Sequence, residues 1–123
     1  MGEIQVSKED LIQLKTLILS EPIFAAISKT CKYCTMFMSS MKELKQESNL
    51  FIMNKDTHGL LFDKLRHVVK EVYKHRTVPI IFIKGRFIGG FSDFQKYTGN
   101  IKGLLALESL EKALVFTEEG KLL

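Results

Sequence analysis

The chain has 123 residues, which fits one domain because a typical domain takes roughly 100 to 200 residues. A composition of 46% hydrophobic and 26% charged residues excludes a disordered chain, and charged residues interrupt every apolar run before the ~18 residues of a membrane-spanning helix. The formal charge is +4, and residues 22–107 carry 14 Lys and Arg against 6 Asp and Glu, so the middle of the chain is basic.

The distribution of the basic residues and the composition of the N-terminal segment indicate which partners and which cellular location to expect for the protein. The basic side chains are spread over several predicted elements without interleaved aromatic residues, which favours a small anionic ligand over nucleic acid. Glu3, Glu9 and Asp10 are unlike the basic start of a secretory or transit leader. We therefore expect a cytoplasmic protein that binds neither nucleic acid nor membranes.

The first third of the chain predicts a helix, a strand and a second helix. Ser7 can cap a helix that ends before Pro22. Residues 23–27 form a short apolar run, typical of a strand buried on both faces of a sheet. After two cysteines, apolar residues recur at helical spacing and predict the second helix: Phe37, Met38, Met41 and Leu44.

The rest of the chain predicts further strands and helices. Residues 50–53 predict a strand, residues 56–59 a loop, and an apolar stripe from Leu61 to Tyr73 a helix. Residues 80–83 and 86–88 flank the pair Lys84-Gly85 and predict an antiparallel hairpin after Pro79. Ser92 and Asp93 can cap another helix, and residues 100–114 predict a last one. This order predicts an α/β fold in a single domain, residues 1–123, with a mixed four-stranded sheet, flanking helices and an additional N-terminal helix.

The two cysteines, Cys31 and Cys34, carry the strongest chemical signal. They lie between a buried strand and the first turn of a helix, where backbone N–H groups and the helix dipole stabilise a thiolate. Cys31 is expected to be the reactive sulfur, and Cys34, one turn inward, to be buried and to resolve a mixed disulfide formed at Cys31. The alternatives are half of a metal site or two inert thiols. The three histidines match no zinc-finger spacing, and we predict no metal site.

Thr77-Val78-Pro79 precedes a predicted strand, with Pro79 either cis and facing the cysteines or an ordinary trans residue. Together with Cys31-Lys32-Tyr33-Cys34 and Gly89-Gly90-Phe91-Ser92-Asp93, this segment resembles the glutaredoxins in order and approximate spacing, from about Ile23 to Tyr97. The resemblance implies a thioredoxin fold and a thiol-disulfide oxidoreductase that uses glutathione as co-substrate. It further implies reduction of protein-glutathione mixed disulfides and protein disulfides.

The resemblance also implies a glutathione-binding groove. The backbone of Val78, beside a cis Pro79, would pair with the cysteinyl part of glutathione, and Ser92 and Asp93 would receive its γ-glutamyl end. Arg76 and Lys29 would meet the glycyl carboxylate, and Tyr33 would pack along the ligand. The full set of predicted glutathione-binding residues is Lys29, Tyr33, Arg76, Thr77, Val78, Pro79, Gly90, Ser92 and Asp93.

Three positions depart from the family's usual pattern. Lys32 stands where Pro is most common, Lys29 lies two residues before Cys31 instead of three, and His75 replaces a frequent Gln. Two alternatives stay open: a carrier of an iron-sulfur cluster ligated by glutathione and Cys31, and a thioredoxin-like reductase independent of glutathione. We favour the dithiol enzyme, acting as a monomer on glutathionylated or disulfide-containing proteins, because a second cysteine that can close a disulfide competes with cluster binding.

Overall fold

The computed structural model of the chain describes residues 4–107. Two of its segments are single 3₁₀ turns, Glu47–Asn49 and Thr98–Asn100. The helices and strands are, in chain order, α1 (Lys8–Ile18), β1 (Ile23–Ala26), α2 (Lys32–Glu43), β2 (Leu50–Met53), α3 (Lys55–His58), α4 (Leu60–Tyr73), β3 (Ile80–Ile83), β4 (Arg86–Gly89), α5 (Phe91–Gln95) and α6 (Ile101–Leu105).

The four strands form one mixed sheet in the order β2-β1-β3-β4. Strand β1 pairs in parallel with β2 and antiparallel with β3, and β4 closes an antiparallel hairpin with β3. Lys84 and Gly85 make the hairpin turn, with φ of 54° and 80°. The predicted α/β fold with a four-stranded mixed sheet, flanking helices and an N-terminal helix is confirmed.

The sheet has a hydrophobic layer on each face because successive strand residues point to opposite sides. Phe24 and Ala26 face α1 and α4, whereas Ile23 and Ala25 face α2 and α5. All residues of β1 and β3 are buried, as expected for the two central strands. The carboxyl end of β1 lies beside the start of β3, so the loops that follow β1 and precede β3 meet at one end of the sheet.

Helix α1 is attached to α4 through one carboxylate. Ser7 Oγ accepts the Asp10 N–H at 3.1 Å, and the Asp10 carboxylate accepts the Ser7 N–H at 2.9 Å, which makes a capping box. Asp10 also pairs with Lys64 of α4 at 2.8 Å. The Lys64 hydrogen bond, followed by the bonds to Ser7, lowers the pKa of Asp10.

Two of the predicted loops and helices differ from the structure. Residues 56–59, predicted as a loop, include most of the single-turn helix α3, which Asn54 caps by accepting the Thr57 N–H at 3.0 Å. The predicted last helix covers residues 100–114, but α6 ends at Leu105, and residues 108–114 lie outside the described part of the chain. Within residues 4–107, every helix is too short or too polar to span a bilayer.

Candidate active site

Cys31 occupies the N-cap position of α2. Its backbone is extended, with φ −88° and ψ 120°, and its Sγ accepts the Cys34 N–H at 3.3 Å. The side chain is partly exposed. Because the first turn of a helix offers unpaired N–H groups and the positive end of the helix dipole, an anionic sulfur is stabilised at this position.

Cys34 lies one turn further along α2 and faces the core. Only 1% of its surface is exposed, and its Sγ accepts the Ser28 N–H at 3.4 Å. Burial, reinforced by the nearby Cys31 sulfur, raises the pKa of Cys34 to about 12. The burial that the helical spacing predicts is thus present, and the reduced Cys34 side chain is a neutral thiol at physiological pH.

The loop before β3 faces the Cys31 sulfur. The Val78–Pro79 peptide bond is cis, one of the two alternatives that the sequence left open. The Cys31 thiol donates to the Val78 carbonyl across 3.4 Å, although the two residues are 47 positions apart in the chain. The CxxC segment and the proline loop therefore form one site, at the end of the sheet where β1 leads into α2 and β3 begins.

A groove of about 280 Å³ runs along the Val78–Pro79 loop. Tyr33, which is 54% exposed, forms one wall beside the cysteines, and the start of α5 forms the opposite wall. Seven of the nine residues predicted to bind glutathione line this groove: Tyr33, Thr77, Val78, Pro79, Gly90, Ser92 and Asp93.

The wall at α5 depends on two glycines and a carboxylate. Gly90 occupies the cap position of α5, and Asp93 accepts its N–H at 3.1 Å. The predicted capping role of Ser92 is wrong, because Ser92 lies inside the first turn, where its exposed side chain borders the groove. Gly89 has a φ of 120°, and a Cβ on it would come within 2.8 Å of Asp93 Cγ, so only glycine leaves room for the carboxylate.

Lys29 and Arg76 lie outside this groove. Lys29 is exposed and pairs with Asp56 at 2.6 Å, and this contact raises the pKa of Lys29. It lines a second depression, between the end of β1 and α4. Arg76 lines a third depression, together with Arg66 and Lys70 of α4. Their predicted contact with the glycyl carboxylate of glutathione stays a prediction.

The groove has two further lining residues that the sequence analysis did not assign to ligand binding. His75 lines it next to Thr77, with 3.5 Å between His75 Nε2 and Thr77 Oγ1. Phe91 is 7% exposed and lines the groove at the start of α5. Phe91 could have been assigned to the groove from its position inside the motif Gly89-Gly90-Phe91-Ser92-Asp93. His75 could have been assigned to it because it replaces the Gln that is frequent before Arg76 in the family.

The chain is similar to glutaredoxins by three comparisons. The family model named Glutaredoxin matches residues 23–88. Glutaredoxin-1 of Saccharomyces cerevisiae is 31% identical over 104 residues, which are 81% of this chain and 94% of the yeast protein. A dithiolic glutaredoxin of Trypanosoma brucei brucei is 29% identical with a TM-score of 0.66, over 76% of this chain and 95% of that one. A buckwheat glutaredoxin-glutathione complex is 23% identical with a TM-score of 0.69, and the match covers 80% of this chain and 88% of the buckwheat chain.

Proposed function

Because the chain belongs to the glutaredoxin family, we propose that it is a dithiol glutaredoxin that reduces protein-glutathione mixed disulfides and protein disulfides. One observation carries the proposal. Cys31 is the N-cap of α2, with its sulfur 3.4 Å from the carbonyl of the cis Val78–Pro79 peptide, next to a groove. A buckwheat relative with the same fold forms a complex with glutathione, which supports glutathione as the ligand of that groove.

In the proposed first step, the Cys31 thiolate attacks the glutathione sulfur of a mixed disulfide. The bond from that sulfur to the substrate protein breaks, the protein leaves as a thiolate, and Cys31 becomes glutathionylated. The Cys34 N–H, 3.3 Å from Cys31 Sγ, stabilises the charge on the attacking sulfur. A second glutathione thiolate then attacks the bound glutathione sulfur, which releases glutathione disulfide and restores the Cys31 thiolate.

The groove would hold the glutathione moiety during both steps. Deprotonation of Cys31 ends its hydrogen bond to the Val78 carbonyl, so that this oxygen can accept the cysteinyl N–H of glutathione. At the opposite wall, the Asp93 carboxylate and the first-turn N–H groups of α5 would bind the γ-glutamyl amine and carboxylate. Tyr33 would cover the ligand from the cysteine side.

Cys34 would take part only with protein disulfides. There the mixed disulfide between Cys31 and the substrate is resolved when the Cys34 sulfur attacks Cys31 Sγ, closes the Cys31–Cys34 disulfide and releases the second substrate thiolate. Because burial raises the pKa of Cys34 to about 12, its thiol is a weak nucleophile at neutral pH. This property favours release of glutathione from Cys31 by a second glutathione over closure of the internal disulfide.

Two single substitutions test these roles. We expect Cys31→Ser to abolish turnover of a glutathionylated peptide and of a protein disulfide, and Cys34→Ser to keep the first activity and lose the second. Equal loss of deglutathionylation in both variants would contradict the assignment. Turnover without glutathione would indicate a thioredoxin-like reductase, and a brown protein after anaerobic purification would indicate a cluster carrier.

A further inference from the structure

His75 lies in the groove beside the start of α5. Its Nε2 is 3.5 Å from Thr77 Oγ1, and its ring packs edge-on against Phe87 of β4, with 5.6 Å between the ring centroids. A Cβ on Gly90 would lie 3.2 Å from His75 Cε1 and 3.7 Å from His75 Nε2. Because Thr77 and Gly90 both line the groove, the edge of the imidazole that carries Nε2 borders the groove as well.

The chain direction after α4 brings this imidazole into the groove. Lys74 ends α4 in the left-handed conformation, with a φ of 59°. His75 and Thr77 then line the groove, whereas Arg76 between them lines the depression on α4. The three side chains alternate in direction, as successive side chains of an extended chain do. Arg76 is thus turned away from the groove that His75 borders.

The groove has a negative group and needs a positive one. The described residues that line it include one carboxylate, that of Asp93, and neither Lys nor Arg. Among these residues, His75 is therefore the one whose side chain can carry a positive charge. Within residues 4–107, no carboxylate lies within ion-pair distance of His75. A charge on its imidazole is therefore available to a ligand.

The γ-glutamyl end of glutathione carries both an ammonium group and a carboxylate. Asp93 offers a counterion to the ammonium group, and the carboxylate requires a donor on the same stretch of the groove. We propose that His75 is a specificity-determining residue, whose Nε2 donates a hydrogen bond to the γ-glutamyl carboxylate of glutathione. This proposal rests on the proposed function and adds a residue that recognises the ligand.

The charge of His75 should set the strength of this contact. A hydrogen bond from an imidazolium to a carboxylate is about twice as strong as one between neutral groups, and histidine ordinarily changes its charge between about pH 5 and 8. The other titratable or charged side chains on the elements around His75 are Tyr33 of α2, Tyr73 and Lys74 where α4 ends, Arg76, Arg86 of β4 and Asp93 of α5. Of these, Tyr33 and Asp93 line the groove. Recognition of the γ-glutamyl end should therefore improve as the pH falls and His75 gains its proton.

The test uses three mixed disulfides of cysteamine, formed with glutathione, with γ-glutamylcysteine or with N-acetylcysteinylglycine. The full chain carries Cys34→Ser and is reduced and then freed of small thiols, so that each reaction transfers the peptide to Cys31 and releases cysteamine. Quenched samples analysed by intact mass spectrometry give the second-order rate constants. Each rate constant is divided by the one for N-acetylcysteinylglycine at the same pH, which cancels the ionisation of Cys31.

The expected results follow the charge of His75. With His75 in place, the ratio for glutathione should rise by about fivefold between about pH 8 and pH 6. His75→Gln keeps a neutral donor, so it should remove this rise and leave the ratio at the higher pH nearly unchanged. His75→Ala has no donor and should lower the ratio at the lower pH by about tenfold. γ-Glutamylcysteine should behave like glutathione, because it keeps the γ-glutamyl carboxylate.

His58→Gln is the matched control. It removes one imidazole from α3, whose residues are not among those described as lining the groove. This variant should keep the ratios of the parent protein at both pH values. Equal loss of the pH dependence in His58→Gln and His75→Gln would overturn the proposal. A fall in His75→Ala that is the same for all three disulfides would also overturn it, because it would indicate that His75 only supports the packing around Phe87.

The outcomes separate the role of His75 from the proposed function. If the protein with His75 reacts at the same rate with all three disulfides, the groove does not recognise glutathione, and the proposed function fails together with this proposal. A preference for the two γ-glutamyl peptides that persists unchanged in His75→Ala and His75→Gln would refute only the role of His75.

Discussion

Replacing Gly89 with alanine tests how the groove wall is built. Gly89 ends β4 with a φ of 120°, a conformation that side chains with a Cβ rarely adopt. A Cβ there would lie 2.8 Å from Asp93 Cγ and even closer to Asp93 Oδ2. Because the same carboxylate accepts the Gly90 N–H at 3.1 Å, we expect Gly89→Ala to strain the backbone and to displace the cap of α5.

The magnitude has two parts. A non-glycine residue in such a backbone region costs about 1 to 3 kcal/mol. Loss of the hydrogen bond to the charged Asp93 adds about 1.5 to 3 kcal/mol. We therefore expect Gly89→Ala to lower the free energy of unfolding by about 2.5 to 6 kcal/mol, a large share of the ~5 to 15 kcal/mol typical of a domain.

Gly59 is the matched control. It also has a positive φ, 52°, but a Cβ on it would meet nothing within 4 Å, so Gly59→Ala should show the backbone cost alone. Urea unfolding followed by far-ultraviolet circular dichroism measures both variants. In an Asp93→Ala background, Gly89→Ala should cost less, because the closest contacts of the new Cβ are gone. Equal costs for the two glycines, or additive costs for Gly89→Ala and Asp93→Ala, would refute this reasoning.

Three further predictions concern stability and are measured by the same unfolding experiment. Tyr73 has a buried hydroxyl without a hydrogen-bond partner among the described residues, so Tyr73→Phe should raise the free energy of unfolding by about 1 kcal/mol; a loss would reveal a partner. Lys32 is the first residue of α2 and follows Cys31 in an extended conformation that tolerates a following proline, so Lys32→Pro should keep the fold and add about 0.4 to 1 kcal/mol. Asp10 has a lowered pKa, chiefly because of its hydrogen bond with Lys64. The ionised carboxylate therefore adds to the free energy of unfolding above pH 3.8, and this contribution is lost as the pH falls through the lowered pKa. Asp10→Asn should thus cost up to about 1 kcal/mol at neutral pH and progressively less as the pH falls below 3.8, whereas a cost that stays undiminished in acid would contradict the assignment.

The elements with strong local patterns could be predicted from the sequence. The apolar run of β1 and the helical stripe of α4 each dictate one structure, and the pair Lys84-Gly85 takes the positive φ values of a hairpin turn. Helix α3 was missed because four residues are too few to show a periodic apolar stripe. Its one local signal is Asn54, a residue that caps short helices and loops alike.

The site was predictable where it depends on spacing along one element. Burial of Cys34 follows from its position three residues after the helix cap, whereas the groove residues were predicted only through the resemblance of their motifs to those of glutaredoxins. The position of Lys29 could not be predicted from the sequence, because its ion pair with Asp56 depends on how the loop after β1 packs against the segment before α4. Such contacts between distant segments leave no pattern in the sequence.

Limited alkylation of the reduced protein measures most directly whether Cys31 is the nucleophile. Iodoacetamide is added at pH 7 for a short time, and the labelled cysteine is identified by peptide mapping. We expect the label on Cys31, because its sulfur is partly exposed at the opening turn of α2, and none on Cys34, which is 1% exposed and whose pKa burial raises to about 12. Label on Cys34, or equal labelling of the two cysteines, would contradict the proposed mechanism.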